Sequence, residues 1–154
     1  PGAFAAVVSF FGLPLLGYAE GNNAQLLRDP ASLRQTAILQ AHGRQDRKIP
    51  PGGGVSSEGW IYESQYRVQR LWSALHGCSV NATPVETDLW DGGSSRVSCT
   101  EFDGCTSRRR VMTCGYDGNH SDWPHHRAGE QLAVWFILHF RRDVVDQGSA
   151  AFSE

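Results

Sequence analysis

The chain has 154 residues, which is the length of a single domain. Its formal net charge is only −2, so the composition lacks the basic footprint of a nucleic-acid-binding protein or of a protein that binds an anionic membrane. The longest apolar run, from Leu132 to Phe140, is too short to span a bilayer, so no membrane partner is predicted.

The first predicted element is a strand. Residues Phe4 to Phe11 are apolar without alternation, a pattern typical of a strand buried on both faces inside a parallel sheet. Such a strand needs a neighbour on each side, and the sequence opens with it, so we expect the chain to be a fragment or one half of a two-chain domain. The loop that follows is rich in glycine, asparagine and proline, with a short helix expected around Asn23 to Arg28.

The second strand, over residues 36–42, leads to the first candidate functional residue. Gly43 is predicted to permit a tight turn that a residue with a Cβ would resist. Asp46 then follows the carboxyl end of a strand, where open α/β sheets place their functional residues. His42 is expected to pack beside the turn as a structural residue.

A helix is predicted after the glycine- and proline-rich spacer that runs from Pro50 to Gly54. We expect Ser56 or Ser57 to cap this helix and the helix to run to about His76. Gly77 then follows as the glycine that ends it. Apolar side chains at three- and four-residue steps predict one buried stripe, made of Ile61, Val68, Leu71, Trp72 and Leu75.

A β-hairpin is predicted in the second half of the chain. Two strands, Val97 to Phe102 and Arg110 to Tyr116, flank a turn, while residues 78–95 are predicted to be irregular. In this hairpin Cys99 and Cys114 are expected to lie opposite each other, which allows a disulfide bond between them.

The predicted elements end with a helix from Gly129 to Arg142 and a tail at residues 147–154. This helix is apolar nearly all round, so we expect it to be deeply packed. Trp60, Trp72, Trp90 and Trp135 are also expected to be packing residues.

The four cysteines fall in one region, and their spacing fits no familiar zinc pattern. His125 and His126 have no evident third ligand beside them, so neither a metal site nor a cofactor is predicted. An even number of cysteines among strands and turns suggests two disulfides and an oxidising compartment.

Two segments, His42-Gly43-Arg44-Gln45-Asp46 and Gly118-Asn119-His120-Ser121, each carry a histidine near a glycine. Both resemble motifs of α/β-hydrolases, most of all those of secreted feruloyl esterases and poly(3-hydroxybutyrate) depolymerases. His42-Gly43-Arg44-Gln45-Asp46 followed by Ile49-Pro50 is similar to His-Gly-x-x-Asp-x-x-Val-Pro, whose aspartate is the acid of a catalytic triad. Gly118-Asn119-His120-Ser121, with Trp123-Pro124 after it, is similar to the Gly-Gly-His-x-Trp-Pro segment that carries the triad histidine.

Two further segments extend the resemblance over most of the chain, from about Phe4 to Phe140. The opening apolar strand resembles the strand that follows the nucleophile helix in this family. Gly77-Cys78 and Gly104-Cys105 resemble two cysteines that are disulfide-linked there. A bridge between Cys78 and Cys105 is therefore implied by the resemblance, as is an extracellular location.

The resemblance implies the carboxyl-terminal half of a doubly wound α/β-hydrolase sheet, with about three to four strands and flanking helices, over residues 1–146. Asp46 and His120 would be catalytic, acting on an ester such as a feruloylated polysaccharide or a polyester, and we expect their side chains to lie within hydrogen-bonding reach of each other. Trp123 would line a pocket for an acyl or aromatic substrate group, or would simply fill space under the loop that carries His120. No Gly-x-Ser-x-Gly elbow occurs in the sequence, so we expect the serine to come from a missing amino-terminal half and this chain alone to be inert.

Three other interpretations remain open at the level of sequence. A peptidase of the prolyl-oligopeptidase type also places a His-Gly-x-x-Asp loop before a late histidine. The chain could instead be a non-catalytic, hydrolase-like binding module. Taken singly, Asp46 could be a turn residue that hydrogen-bonds its own loop, and His120 could be an exposed loop residue without a function.

Overall fold

The computed structural model describes residues 6–16, 36–85, 97–105, 110–120, 122 and 129–138. Trp90, Trp123, His125 and His126 lie outside these ranges, as do the short helix predicted around residues 23–28 and the tail at 147–154. The elements are β1 (Ala6–Phe10), β2 (Ala37–Gly43), β3 (Gly54–Val55), β4 (Ile61–Tyr62), α1 (Gln65–Leu75), β5 (Ala82–Val85), β6 (Val97–Phe102), β7 (Val111–Tyr116) and a second helix, α2, at 129–138.

Five of the strands form one mixed sheet in the order β1-β2-β7-β6-β5. β1, β2 and β7 are parallel neighbours, whereas β6 and β5 are antiparallel additions at one side. Together with the two helices in the described ranges, this sheet confirms the α/β class. The prediction of three to four strands was wrong, because the segment 78–95 contains β5 and is not wholly irregular. Pro84 weakens the strand signal there, although proline is tolerated in a strand with an unpaired side.

The register of the parallel strands brings two carboxyl ends to the same edge of the sheet. Gly43, the last residue of β2, lies opposite Tyr116, the last residue of β7. The residues that follow these two strands therefore form adjacent loops, although they are far apart in sequence. One face of the sheet packs on α2 through a core cluster of Ala37, Leu39, Ala41, Cys99, Met112, Cys114, Leu132 and Phe136.

β1 is less buried than its apolar sequence predicted. Its residues are exposed or half-buried, and the side chain of Val7 is 40% exposed. Complete burial of a strand requires a neighbouring strand at each edge as well as a layer on each face, and within the described part of the chain β1 pairs only with β2. The strand itself was predicted correctly, while its complete burial was not.

The start of α1 corrects the prediction of its cap. Ser64, not Ser56 or Ser57, is the N-cap, and its Oγ accepts a hydrogen bond from the backbone N–H of Arg67 at 3.2 Å. Ser56 instead stabilises a turn, in which its Oγ accepts hydrogen bonds from the backbone N–H groups of Glu58 and Trp60.

That turn joins β3 and β4, two short strands that the sequence did not predict. Ile61 therefore belongs to a strand and not to the predicted helical stripe. Among the other residues of that stripe, Leu71 is exposed and only Val68 is buried. Trp60 is 55% exposed, so its predicted packing role was wrong as well. The end of α1 was predicted correctly, since Gly77 follows the C-cap with a φ of 63°.

The second helix buries one face only, over its described residues. Leu132 and Phe136 are buried against the sheet, whereas Val134, Ile137 and Leu138 are exposed. The prediction of a helix packed all round was therefore wrong for this part of the chain. Neither described helix combines the length and the apolar character that crossing a membrane requires.

Both expected disulfide bonds are present. Cys99 and Cys114 face each other across β6 and β7 and are bonded, and Cys78 is bonded to Cys105. The first pair follows from the hairpin register, and the second is the pair that the family resemblance implied. Two disulfides in a chain of this size are typical of proteins from an oxidising environment.

Candidate functional site

Asp46 and His120 meet at the edge of the sheet where β2 and β7 end. Nδ1 of His120 lies 2.9 Å from Oδ2 of Asp46, which is a normal hydrogen-bond distance. The sequence prediction that these side chains lie within hydrogen-bonding reach is therefore confirmed. Their catalytic role stays a prediction.

The two carboxylate oxygens of Asp46 have separate tasks. Oδ1 accepts hydrogen bonds from the backbone N–H groups of Lys48 and Ile49, both at 2.9 Å, and so closes the loop after β2. Oδ2 is left to face His120. Asp46 therefore closes its own turn and also binds the imidazole of His120, although only 3% of Asp46 is exposed. Backbone donors on one oxygen fix the direction in which the other oxygen points.

His42 is the third side chain of this cluster. Its Nε2 lies 2.7 Å from the carbonyl oxygen of Ile49 and 3.3 Å from Oδ2 of Asp46, so this nitrogen carries the proton that both acceptors require. The predicted packing role is confirmed, since the residue is fully buried. Its contact with the acid was not predicted, although a four-residue spacing across a tight turn is a signal that could have indicated it.

The environment of His42 favours the neutral imidazole. Burial lowers the pKa of His42 below its usual 6.5, and this effect outweighs the opposing hydrogen bond to Ile49 and the charge of Asp46. Nδ1 of His42 is buried and has no hydrogen-bond partner in the described ranges. A neutral ring with one proton on Nε2 satisfies these contacts.

The stability of the fold should therefore fall as the pH drops below about 6.5. In that window the unfolded chain binds a proton at His42 that the folded chain does not, so the free energy of unfolding decreases as the pH decreases. Urea titrations between about pH 7 and about pH 5 measure this slope. A His42→Gln variant keeps a donor for the carbonyl of Ile49 and should show a flatter slope. If the slope of His42→Gln equalled that of the unmodified chain and that of a His120→Gln control, the assignment of this pH dependence to His42 would be contradicted.

The imidazole of His120 is accessible from one side. Its side chain is 32% exposed, and Nε2 forms no hydrogen bond within the described ranges. The ring of Phe11, which follows β1, packs against the imidazole at a centroid distance of 5.4 Å. With Nδ1–H donated to Asp46, Nε2 is the nitrogen that can accept a proton from a reacting group.

Backbone contacts join the loop after β2 (residues 44–49, the acid loop) to the loop after β7 (residues 117–120, the histidine loop). The N–H of Arg44 donates to the carbonyl of Tyr116 at 2.9 Å, and the N–H of Gln45 donates to the carbonyl of Gly118 at 3.1 Å. The guanidinium of Arg44 adds an ion pair with Asp117 at 2.7 Å. Since both charged side chains are well exposed, this pair adds little stability, and the two backbone bonds carry more of the connection.

Asp122 holds the histidine loop from its far side. Its Oδ2 accepts from the backbone N–H of Asn119 at 2.9 Å and from the Asn119 amide at 3.1 Å. These hydrogen bonds lower the pKa of Asp122 below its usual value of 3.8. Tyr116 lies beneath the loop with a buried hydroxyl, and burial, followed by the charges of Asp46 and Asp122, raises the pKa of that hydroxyl.

A cavity of about 420 Å³, lined mainly by polar residues, lies to one side of this cluster, between α1 and the sheet. His42 and Arg44 line part of it, together with Gln65, Gln69 and Thr113, but His120 does not. The cavity is therefore separate from the accessible nitrogen of His120. No group of three or more histidine, cysteine or acidic side chains in the described ranges is arranged to hold a metal ion.

A buried carboxylate that orients an imidazole, with the second ring nitrogen accessible, is chemically suited to general-base catalysis. Such a pair can remove a proton from a hydroxyl group and return a proton to a leaving group. Comparison of the chain with protein-family models, with curated proteins and with solved structures found no significant match.

Proposed function

We propose that this chain is part of a serine-type carboxylic-ester hydrolase in which His120 is the general base and Asp46 is its orienting acid. The observation that supports the proposal most is the 2.9 Å contact between Nδ1 of His120 and the buried carboxylate of Asp46. The pair lies at the carboxyl ends of parallel strands, where α/β sheets hold their reactive groups. The resemblance of the two surrounding motifs to those of feruloyl esterases and polyhydroxybutyrate depolymerases points in the same direction.

In the proposed reaction, Nε2 of His120 takes the proton of a serine hydroxyl as the serine oxygen attacks the ester carbonyl. The same proton then goes to the alkoxide that leaves, which produces a free alcohol and an acyl-serine. A water molecule repeats the sequence, and the acid is released with the serine restored. Asp46 keeps the proton of the resting imidazole on Nδ1 and offsets the positive charge that the ring acquires.

The serine and the oxyanion hole are proposed to come from sequence outside these 154 residues. We expect a Gly-x-Ser-x-Gly turn at the end of a strand, roughly 25 to 40 residues before Phe4, because a helix of ordinary length must lie between them. The proposed substrates are esters such as feruloylated polysaccharides or polyesters. The two disulfides support a secreted enzyme.

Ester hydrolysis tests the proposal in two forms of the protein. The 154-residue chain alone should hydrolyse an aryl ester no faster than its own His120→Ala variant, because neither has a nucleophile to activate. The chain extended upstream through the expected serine should hydrolyse the ester and should leave a proline-containing peptide intact. Cleavage of the peptide alone would favour a peptidase, and an upstream sequence without the serine would favour a non-catalytic module.

A further inference from the structure

The segment after β1 contains a strained residue beside the proposed site. Phe11 has a φ of 61°, and no other residue besides glycine has a positive φ in the described ranges. A bulky side chain rarely adopts this conformation, because its Cβ then crowds the following carbonyl. Gly12 comes directly afterwards and does not adopt it. The left-handed position is thus occupied by an aromatic residue although a glycine is adjacent.

Neighbouring contacts hold Phe11 in this conformation. Its backbone N–H donates to the carbonyl of Ala41 at 3.0 Å, and the amide of Gln40 donates to the carbonyl of Gly12 at 3.0 Å. The side chain of Leu13, next along the chain, is buried. A strained backbone persists only where its surroundings determine it in this way, and such residues cluster at functional sites.

The strained turn brings the Phe11 ring against two other rings. Its centroid lies 5.4 Å from that of His120 at an interplanar angle of 57°, and 5.9 Å from that of Tyr116 in an edge-to-face contact. Both distances fall in the range of attractive aromatic pairs. Since Tyr116 is buried, the Phe11 ring packs against a buried aromatic ring as well as against the imidazole of His120.

We propose that Phe11 is a positioning residue that keeps Nδ1 of His120 directed at Asp46. The imidazole is tied to Asp46 by a single hydrogen bond and is partly exposed, so this bond alone leaves the ring free to turn about its side-chain axis. The Phe11 ring limits that rotation. The catalytic meaning of this role rests on the proposed esterase function, but the positioning itself can be measured without activity.

NMR of the 154-residue chain with ¹⁵N-labelled histidine tests the proposal through the Nδ1–H signal of His120. In the unmodified chain we expect a signal that is protected from exchange with water and is lost in Asp46→Asn. In Phe11→Gly the backbone conformation is unstrained, so the chain should fold, and the exchange rate of this proton should rise on the order of tenfold or more. Phe11→Tyr retains the ring and should restore protection.

Val8→Ala is the matched control, because it shortens another apolar side chain of β1 that packs on the core cluster, three residues before Phe11. That variant should keep the protected signal. An unchanged signal in Phe11→Gly would overturn the positioning role and leave the proposed function standing. Absence of a protected signal from the unmodified chain would overturn both, and equal losses in Phe11→Gly and Val8→Ala would show a general loosening of the fold instead of a positioning effect.

Discussion

Replacing Asp46 with asparagine is expected to lower kcat for ester hydrolysis about 10⁴-fold in the protein that includes its serine. Oδ1 of Asp46 accepts two backbone hydrogen bonds, from Lys48 and Ile49, so the amide oxygen of asparagine should take this place. The amide NH₂ would then face Nδ1 of His120 as a donor. A donor there forces the imidazole proton onto Nε2, and the ring can no longer act as a base at that nitrogen.

Steady-state kinetics on an aryl ester measure this effect, and urea unfolding shows whether each variant remains folded. Asp117→Asn is the matched control, because Asp117 is an exposed acid on the histidine loop that pairs with Arg44 and not with His120. We expect the control to keep kcat within a few-fold of the unmodified enzyme. Equal losses in both variants, or a folded Asp46→Asn enzyme with full activity, would remove Asp46 from the mechanism.

The proximity of Asp46 and His120 could be predicted because local signals place these residues on loops and the resemblance of the two motifs to those of α/β-hydrolases pairs them. An apolar run that ends in glycine, followed by a polar residue, indicates a loop at the carboxyl end of a strand. Two such loops after parallel neighbours must share an edge of the sheet. The contacts of His42 with the acid and of Phe11 with His120 depend on side-chain directions and long-range packing, which periodicity does not report.

The element boundaries could likewise be predicted where the signal lies within the segment, and not where it depends on the rest of the fold. β6 and β7 were predicted to within one residue, because turn residues and the paired cysteines define their hairpin. The start of α1 was misplaced, because the segment offers Ser56 and Ser64 as alternative caps and the sequence does not show which one precedes a helix. Exposure was predicted least well, as the exposed Trp60 shows, because it depends on what other elements cover.

Replacing Gly43 with alanine is expected to destabilise the fold by about 1–3 kcal/mol, the usual range for overpacking. An added Cβ would lie 2.5 Å from the carbonyl oxygen of Gly118 and 3.1 Å from that of Asn119. Gly43 does not have a positive φ, so the turn itself does not require glycine as the sequence had suggested. The requirement comes from the close approach of the histidine loop to the end of β2.

The obstructing atoms are backbone carbonyls, so no flexible side chain can move aside. Relief of the clash must shift Gly118 and Asn119, and His120 moves with them. Gly43→Ala should therefore lose both stability and the protected Nδ1–H signal of His120, as measured by urea unfolding and by NMR. Gly52→Ala is the control, because an added Cβ there meets nothing within 4 Å, and its stability should change by less than about 0.5 kcal/mol. If the two variants were equally stable and both kept the signal, the two loops would not be packed as closely as the structure shows.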